Sequence, residues 1–454
     1  MGKKYNFDYC IIGSGPAGTA AALTLASKQK TKVAIIEDHA FGGSNLNTRD
    51  VPYSVCLNFS HTFARLKSFP EINGQELHFN FPSVLAHQNQ TISALGGGST
   101  DVYEAAGVIS MFSHAHFLDA HTVALGNDQI TAENFIIATG SKLKPGDIVG
   151  LDDVPYLTPE TAIKLRKLPK YALVIGGGAT GCEVASYFAE LGTSVFMIEA
   201  ADRLLPKEDP EVGMAIQDYF STKLGIKIAI GTRVVALERD SISKKIVFTT
   251  GGQEKSVRID CVILATGSEP ALDLGLENAG VKYTRDGIVV NKMFQTSAKN
   301  IYAVGDCLGG DSSTEKSEYQ ATVLANNLLN KGRTYANYRG LTRVVNTYPE
   351  VATVGMTESE LRKTKTRYKK ATVEIKNFPA SRIQKIDTGF VKVMTSNTGK
   401  ILGASIVAPE ASLLITEIAL AMRSNTSIVD VADLPHIANG FVTAIKEVAE
   451  KLSR

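Results

Sequence analysis

One pattern occurs twice in this chain and constrains its fold more than any other feature. It is a short apolar run, a glycine-rich break, an Ala-rich helical stretch, and a second apolar run ending in glutamate. The first copy is FDYCIIGSGPAGTAAALTLASKQKTKVAIIED (7–38) and the second is YALVIGGGATGCEVASYFAELGTSVFMIEA (171–200). In the first, Gly13, Gly15 and Gly18 are spaced GxGxxG between a strand and a helix, the context in which that spacing binds a dinucleotide. Gly13 permits the tight turn, Gly15 lets backbone approach a pyrophosphate, and Gly18 lets helix and strand pack closely. The helix N-terminus then faces the phosphate charge. Glu37, 19 residues after Gly18, ends the second strand and can accept hydrogen bonds from a ribose. Gly176, Gly178 and Gly181 repeat the spacing, and Glu199 follows Gly181 by 18 residues. A 2′-phosphate beside Glu199 would meet like charge, so NADH is expected over NADPH, although Arg203 nearby in sequence blurs that preference.

Each copy has a matching tail, ENFIIATGS (133–141) and DCVILATGSEP (260–270), so the chain carries an internal duplication with one nucleotide per half. A later apolar run, NIYAVGDCLGG (300–310), ends in Gly305-Asp306, where a carboxylate could bind the ribityl hydroxyls of a flavin. With 454 residues, two or three domains are expected. Net charge is only +2 and no long run of one sign appears, which argues against nucleic acid or an acidic membrane surface as a partner. No apolar segment is long enough to span a bilayer. The start, MGKKYNFDYC, has neither a signal core nor a myristoylation pattern, so a cytoplasmic protein is expected. Cys10, Cys56, Cys182, Cys261 and Cys307 are scattered and odd in number, which argues against a disulfide framework or a zinc site; no metal is expected.

These residues resemble the class I pyridine nucleotide-disulfide oxidoreductases, the family of lipoamide dehydrogenase, glutathione reductase and mercuric reductase. The likeness runs through both glycine motifs and both ATG segments. It continues in TSAKNIYAVGD (296–306), NTYPEVATVGMTESEL (346–361) and TGKILGASIVAPEASLLITEIALAM (398–422). It implies an α/β architecture with two Rossmann-like dinucleotide-binding domains, for FAD and NAD, and a C-terminal α+β dimerisation domain. FAD would occupy residues 1–150 and 271–340, NAD residues 151–270, and the homodimer interface residues 341–454. By the same likeness, Gly13, Gly15, Gly18, Glu37, Gly43, Ser44, Thr139, Gly140 and Asp306 contact FAD. Gly176, Gly178, Gly181 and Glu199 contact NADH, and Glu183 lies between nicotinamide and flavin.

The departures from the family pattern lie in its chemistry. The redox loop GGTCLNxGCIPSK is represented here by GGSNLNTRDVPYS (42–54), in which Asn45 and Asp50 replace the two cysteines and Ser54 the lysine. Neither residue can be a thiolate or form a disulfide. The C-terminal HPTxxE motif becomes Ala438 to Thr443. His436, two residues away, lacks an acid at triad spacing and is expected to be structural. The loop is expected to cradle FAD and to start a helix near Pro52. The implied function is an NADH-dependent flavoprotein that passes electrons directly to a small acceptor such as a quinone, a dye or oxygen. Glu183 would position the nicotinamide, while Asn45, Arg49 and Asp50 would shape the acceptor site. Transhydrogenation between NADH and NADP⁺ is one alternative, and a catalytically silent flavin- or nucleotide-binding sensor or subunit is another.

Overall fold

The computed structural model describes residues 5–69, 71–74, 76–239, 244–250, 253–311 and 313–454. Part of the N-terminal expectation falls on residues 1–4, which lie outside the described residues. The chain forms two compact units. The first comprises Met1–Val55, Ser83–Lys144 and Gly267–Tyr338; the second comprises Cys56–Pro82, Pro145–Thr266 and Arg339–Arg454.

In the first unit the apolar runs become a parallel sheet. Its strands stand in the order Ile109–Phe112, Val33–Glu37, Phe7–Ile12, Asp128–Ile137, Ile301–Ala303. Val33–Glu37 is buried at every position, as expected of a parallel strand covered on both faces. From Phe7–Ile12 the chain crosses to a neighbour on one side and later returns on the other. The glycine turn therefore sits at the topological switch point, where such sheets open a crevice. The helix Pro16–Ala26 has proline in its first turn, where no amide donor is needed. It buries Ala17, Gly18, Ala21, Ala22 and Leu25, and these small side chains let it lie close to the sheet.

The second unit repeats the design with the parallel order Lys227–Ala229, Ser194–Ile198, Tyr171–Ile175, Cys261–Leu264. It also holds an antiparallel sheet of Thr342–Val345, Glu350–Gly355, Ile401–Ala408, Phe390–Thr395 and Lys369–Glu374. The helices Ala411–Ser424 and Val442–Ser453 share one apolar core with that sheet, centred on Ile406, Val393, Ile415 and Ile445.

Candidate functional site: two glycine turns and the 42–50 loop

In the first unit the backbone turns after Ile12 with Gly13 at φ +100°. A Cβ there would lie 2.4 Å from the Ala138 carbonyl oxygen, and one on Gly18 would lie 1.9 Å from that of Gly13. Around Gly15, by contrast, a Cβ would meet no protein atom within 4 Å. Packing therefore demands two of the three glycines. The third faces open space at a helix N-terminus, and this fits the pyrophosphate of a dinucleotide.

Glu37 ties this turn together. Its Oε2 accepts from the Ser14 amide at 2.9 Å and the Ser14 hydroxyl at 2.6 Å. Its Oε1 accepts from the amides of Asp38 at 3.1 Å and His39 at 2.9 Å. The Gly42 amide donates to Ser14 Oγ at 3.1 Å, joining the 42–50 loop to the turn. Gly43 packs so closely that a Cβ would come within 2.4 Å of Gly15 Cα.

Gly43–Asn47 forms a short helix, and the Ser44 carbonyl accepts from the amides of Thr48 and Arg49 at 2.9 and 2.7 Å. The next helix is Asp50–Ser68, so Pro52 falls in its first turn, close to the expected start. Asn45 and Asp50 meet: Asn45 Nδ2 donates to Asp50 Oδ2 at 2.5 Å and to Thr314 Oγ1 at 2.9 Å. The Thr314 hydroxyl donates in turn to Asp50 Oδ2 at 2.5 Å. Arg49 Nη1 lies 3.5 Å from Ser141 Oγ, which donates to Asp306 Oδ2 at 3.1 Å. Thr139 Oγ1 donates to the Ala271 carbonyl at 2.7 Å, and Gly140 has open space where a Cβ would stand.

The second unit repeats the glycine geometry, with fewer hydrogen bonds to its acid. A Cβ on Gly176 would lie 2.2 Å from the Ala265 carbonyl oxygen, one on Gly181 would lie 2.0 Å from that of Gly176, and Gly178 faces open space. Glu199 Oε2 accepts from the Gly177 amide at 2.5 Å and Oε1 from the Ala201 amide at 2.6 Å. Gly177, like Ser14, directly follows the first glycine of its motif, and Ala201, like His39, lies two residues after the acid. With one bond on each oxygen, Glu199 keeps a lone pair on each. Arg203 donates to Asp202 Oδ1 at 2.8 Å and to the Pro206 carbonyl at 3.1 Å. Glu183 Oε1 accepts from the backbone and side-chain amides of Asn346 at 2.8 and 3.0 Å.

His436 is held on both ring nitrogens, by the Leu434 carbonyl at 2.9 Å and Glu417 Oε1 at 3.0 Å, with its side chain 4% exposed. A partner acid thus exists on the helix Ala411–Ser424, at a separation no triad spacing would suggest. With both nitrogens engaged, the ring is a strut. The five cysteines are buried and none forms a disulfide. Burial pushes the thiols of Cys10 and Cys182 far up and that of Cys307 up to about 12, so these three are not thiolates. Thr314, Ser141, Ser14 and Asn346 went unmarked in the sequence reading. Ser14, Ser141 and Asn346 lie within quoted motif stretches, the first glycine motif, the ATGS tail and the 346–361 segment, whereas Thr314 carried no signal.

Each unit thus has a parallel sheet with a glycine turn at its switch point and an acid at the end of the neighbouring strand, the arrangement of the dinucleotide-binding fold class. The chain belongs to the pyridine nucleotide-disulphide oxidoreductase family: that family's sequence model matches residues 7–327, and the model of its dimerisation domain matches residues 341–449. It is 31% identical to a dihydrolipoamide dehydrogenase of Chaetomium thermophilum, over 97% of this chain and 90% of that protein. It is 30% identical to a mercuric reductase of Staphylococcus aureus, over 94% of this chain and 79% of the other. Among solved structures, a HOCl-induced flavoprotein disulfide reductase of Escherichia coli (RclA) superposes with a TM-score of 0.87 at 25% identity, covering 98% of this chain and 99% of that one. The protein is accordingly an FAD-dependent pyridine nucleotide oxidoreductase, and its dimerisation domain points to a homodimer. Among the described residues no helix is long and apolar enough to cross a membrane.

Proposed function

We propose that this oxidoreductase takes electrons from NADH through FAD directly to a small acceptor, a quinone, a dye or oxygen, with no protein disulfide in the cycle. The observation that carries this reading is the contact between positions 45 and 50. There Asn45 and Asp50 are joined to each other and to Thr314 by hydrogen bonds. Such a bridge holds the loop as a disulfide would, but it has no sulfur to oxidise or reduce.

FAD, when bound, supplies the two-electron chemistry that accepts hydride from NADH and releases electrons to the acceptor. The chain's own residues bind and orient. In this reading Gly15, Gly43, Ser44, Thr139 and Gly140 line the flavin nucleotide, with Glu37 at its ribose and Asp306 at its ribityl chain. Gly178 faces the pyrophosphate of NADH, and the spare lone pairs of Glu199 receive its ribose hydroxyls. Glu199 repels a 2′-phosphate, and Arg203 is drawn away from one by Asp202 and the Pro206 carbonyl. Glu183 faces the nicotinamide. Asn45, Arg49 and Asp50 shape the acceptor site with Thr314 and Ser141.

The test is anaerobic mixing of the FAD-loaded protein with NADH, and separately with NADPH, following the oxidised-flavin absorption. Bleaching is expected with NADH, about tenfold or more faster than with NADPH, where tenfold corresponds to about 1.4 kcal/mol. No long-wavelength thiolate–flavin charge-transfer band should develop. The reduced protein should then be reoxidised by quinones, dyes or oxygen and left reduced by lipoamide or glutathione disulfide. Reoxidation by a disulfide substrate would overturn the proposal, and absence of bleaching with either nucleotide would leave a redox-silent flavoprotein.

A further inference from the structure

His61 lies in the part of the helix Asp50–Ser68 that belongs to the second unit, and no step described so far uses it. Its Nδ1 is 2.8 and 2.9 Å from the two oxygens of Glu190, and its Nε2 is 2.9 Å from the Asn346 carbonyl oxygen. Glu190 is buried and also accepts from Ser60 Oγ at 2.6 Å. Among the described residues, every hydrogen-bond partner of the ring is an acceptor. An imidazole satisfies two acceptors only by donating from both nitrogens, which is the charged form.

Asn346 passes this constraint on. The residue whose carbonyl is held by His61 donates its own backbone and side-chain amides to Glu183 Oε1. Glu183 and Glu190 stand seven residues apart on the helix Ala179–Glu190, two turns along the same face. One helix thus carries both ends of a closed circuit, from Glu190 through His61 and Asn346 to Glu183. Sequence separations of 129 and 163 residues hide it from any motif.

We infer that the His61–Glu190 ion pair is a positioning device for the nicotinamide side of the reaction, fixing Asn346 and through it the carboxylate of Glu183. The inference rests on the assignment of Glu183 to the nicotinamide proposed above. Burial alone would push the His61 pKa down, but hydrogen bonds to Glu190 and its charge, the Asn346 carbonyl and the charge of Glu350 outweigh it, so the pKa is raised. The other titratable groups around it are Tyr348 on the 342–355 hairpin, whose ring lies 6.0 Å away, and Tyr219 on the helix Pro210–Thr222. Burial first, and carboxylate charge after it, pushes both phenols up, so they stay neutral through the His61 transition. Arg65, one turn along the helix from His61, is a permanent cation near Tyr348. A raised histidine pKa means that the pair is intact below the ordinary histidine value and is lost as pH rises through the folded value.

The experiment uses the FAD-loaded protein, with the histidine ring protons followed by NMR and NADH-driven flavin bleaching followed by stopped flow, both from pH 6 to 10. In the wild type the bleaching rate should fall about tenfold as the His61 resonance titrates, the scale expected when a positioned group is released. His61→Gln should show the low rate at every pH. Glu190→Gln should move both the resonance and the rate profile to lower pH, and Glu190→Asp should restore part of each. Asn346→Ala keeps the ion pair, so it should leave the His61 titration in place while lowering the rate and weakening NADH binding measured by fluorescence titration. A wild-type rate that is flat across the His61 transition overturns the inference, as do His61→Gln and Asn346→Ala proteins that bleach and bind NADH like the wild type. Absence of bleaching in the wild type would instead sink the functional proposal on which the inference rests.

Discussion

Lys392→Met should be the most destabilising single substitution proposed for this protein, lowering the unfolding free energy of the second unit by about 3–5 kcal/mol. Lys392 lies on the strand Phe390–Thr395 with its side chain 1% exposed. Its Nζ is 2.7 Å from Glu358 Oε2, 3.2 Å from Asp209 Oδ2 and 3.2 Å from Glu211 Oε1. Asp209 is fully buried and Glu358 nearly so. Glu358 keeps Arg362, Lys370 and Tyr368 as partners in the variant, but among the described residues Asp209 is ion-paired with Lys392 alone. Removing the cation leaves a buried carboxylate uncompensated, which costs more than the intact pair contributes. The measurement is urea unfolding followed by far-ultraviolet circular dichroism and tyrosine fluorescence. Lys392→Met combined with Asp209→Asn and Glu358→Gln should recover a large part of the loss, because no charge is then stranded. An equally unstable triple variant would mean that shape, not charge, is what Lys392 supplies.

The same cluster makes stability depend on acid. Burial alone would raise the Glu358 pKa, but hydrogen bonds from Lys392, Tyr368, Arg362 and Lys370 outweigh it and hold the carboxyl well below the usual range. A depressed folded pKa contributes stability that is present above the unfolded value of about 4.3 and is lost as pH falls through the folded one. The wild type should therefore weaken below about pH 4 by more than the triple variant does.

A second large effect separates glycines that pack from glycines that bind. Gly181→Val should destabilise the second unit by about 1–3 kcal/mol and abolish NADH binding. Its first added carbon would stand 2.0 Å from the Gly176 carbonyl oxygen and must force the helix Ala179–Glu190 off the strand Tyr171–Ile175. Gly178→Val adds its carbons to open space at φ −71°, a backbone any residue adopts. Its stability should stay within about 0.5 kcal/mol of the wild type. Its NADH affinity should nevertheless fall about tenfold or more, since the proposed function gives that space to the pyrophosphate. Calorimetric titration with NADH beside urea unfolding reads both quantities. A Gly178→Val protein that binds NADH normally would remove the pyrophosphate from that turn.

How much of this was legible in the sequence depended on the range of the physics. Glycine turns, strand-end acids and the duplication follow from local backbone demands: a close approach at Gly18, a turn at Gly13, an alternation of apolar runs with a helix. Glu37 and Glu199 were found by spacing, yet only the structure shows that each also secures its own turn, through the Ser14 and Gly177 amides. For Asn45 and Asp50 the sequence showed which atoms were missing, and the coordinates added what joins them. Thr314 comes from 264 residues away and no local pattern marks it.

By itself, then, the sequence determined the two strand–glycine turn–helix halves, the absence of sulfur at positions 45 and 50, and the family. Each of these is written in residue type and short spacing, and a glycine or a missing thiol acts wherever its backbone goes. The tertiary structure alone decided which polar groups meet. Lys392 reads as one more charged residue on a strand until Asp209 and Glu358 close around it, and His61 as a helix-surface histidine until Glu190 and Asn346 take both its nitrogens. The physical reason is that burial of charge depends on what long-range packing places opposite it, and a hydrogen bond spanning more than a hundred residues leaves no periodicity to read.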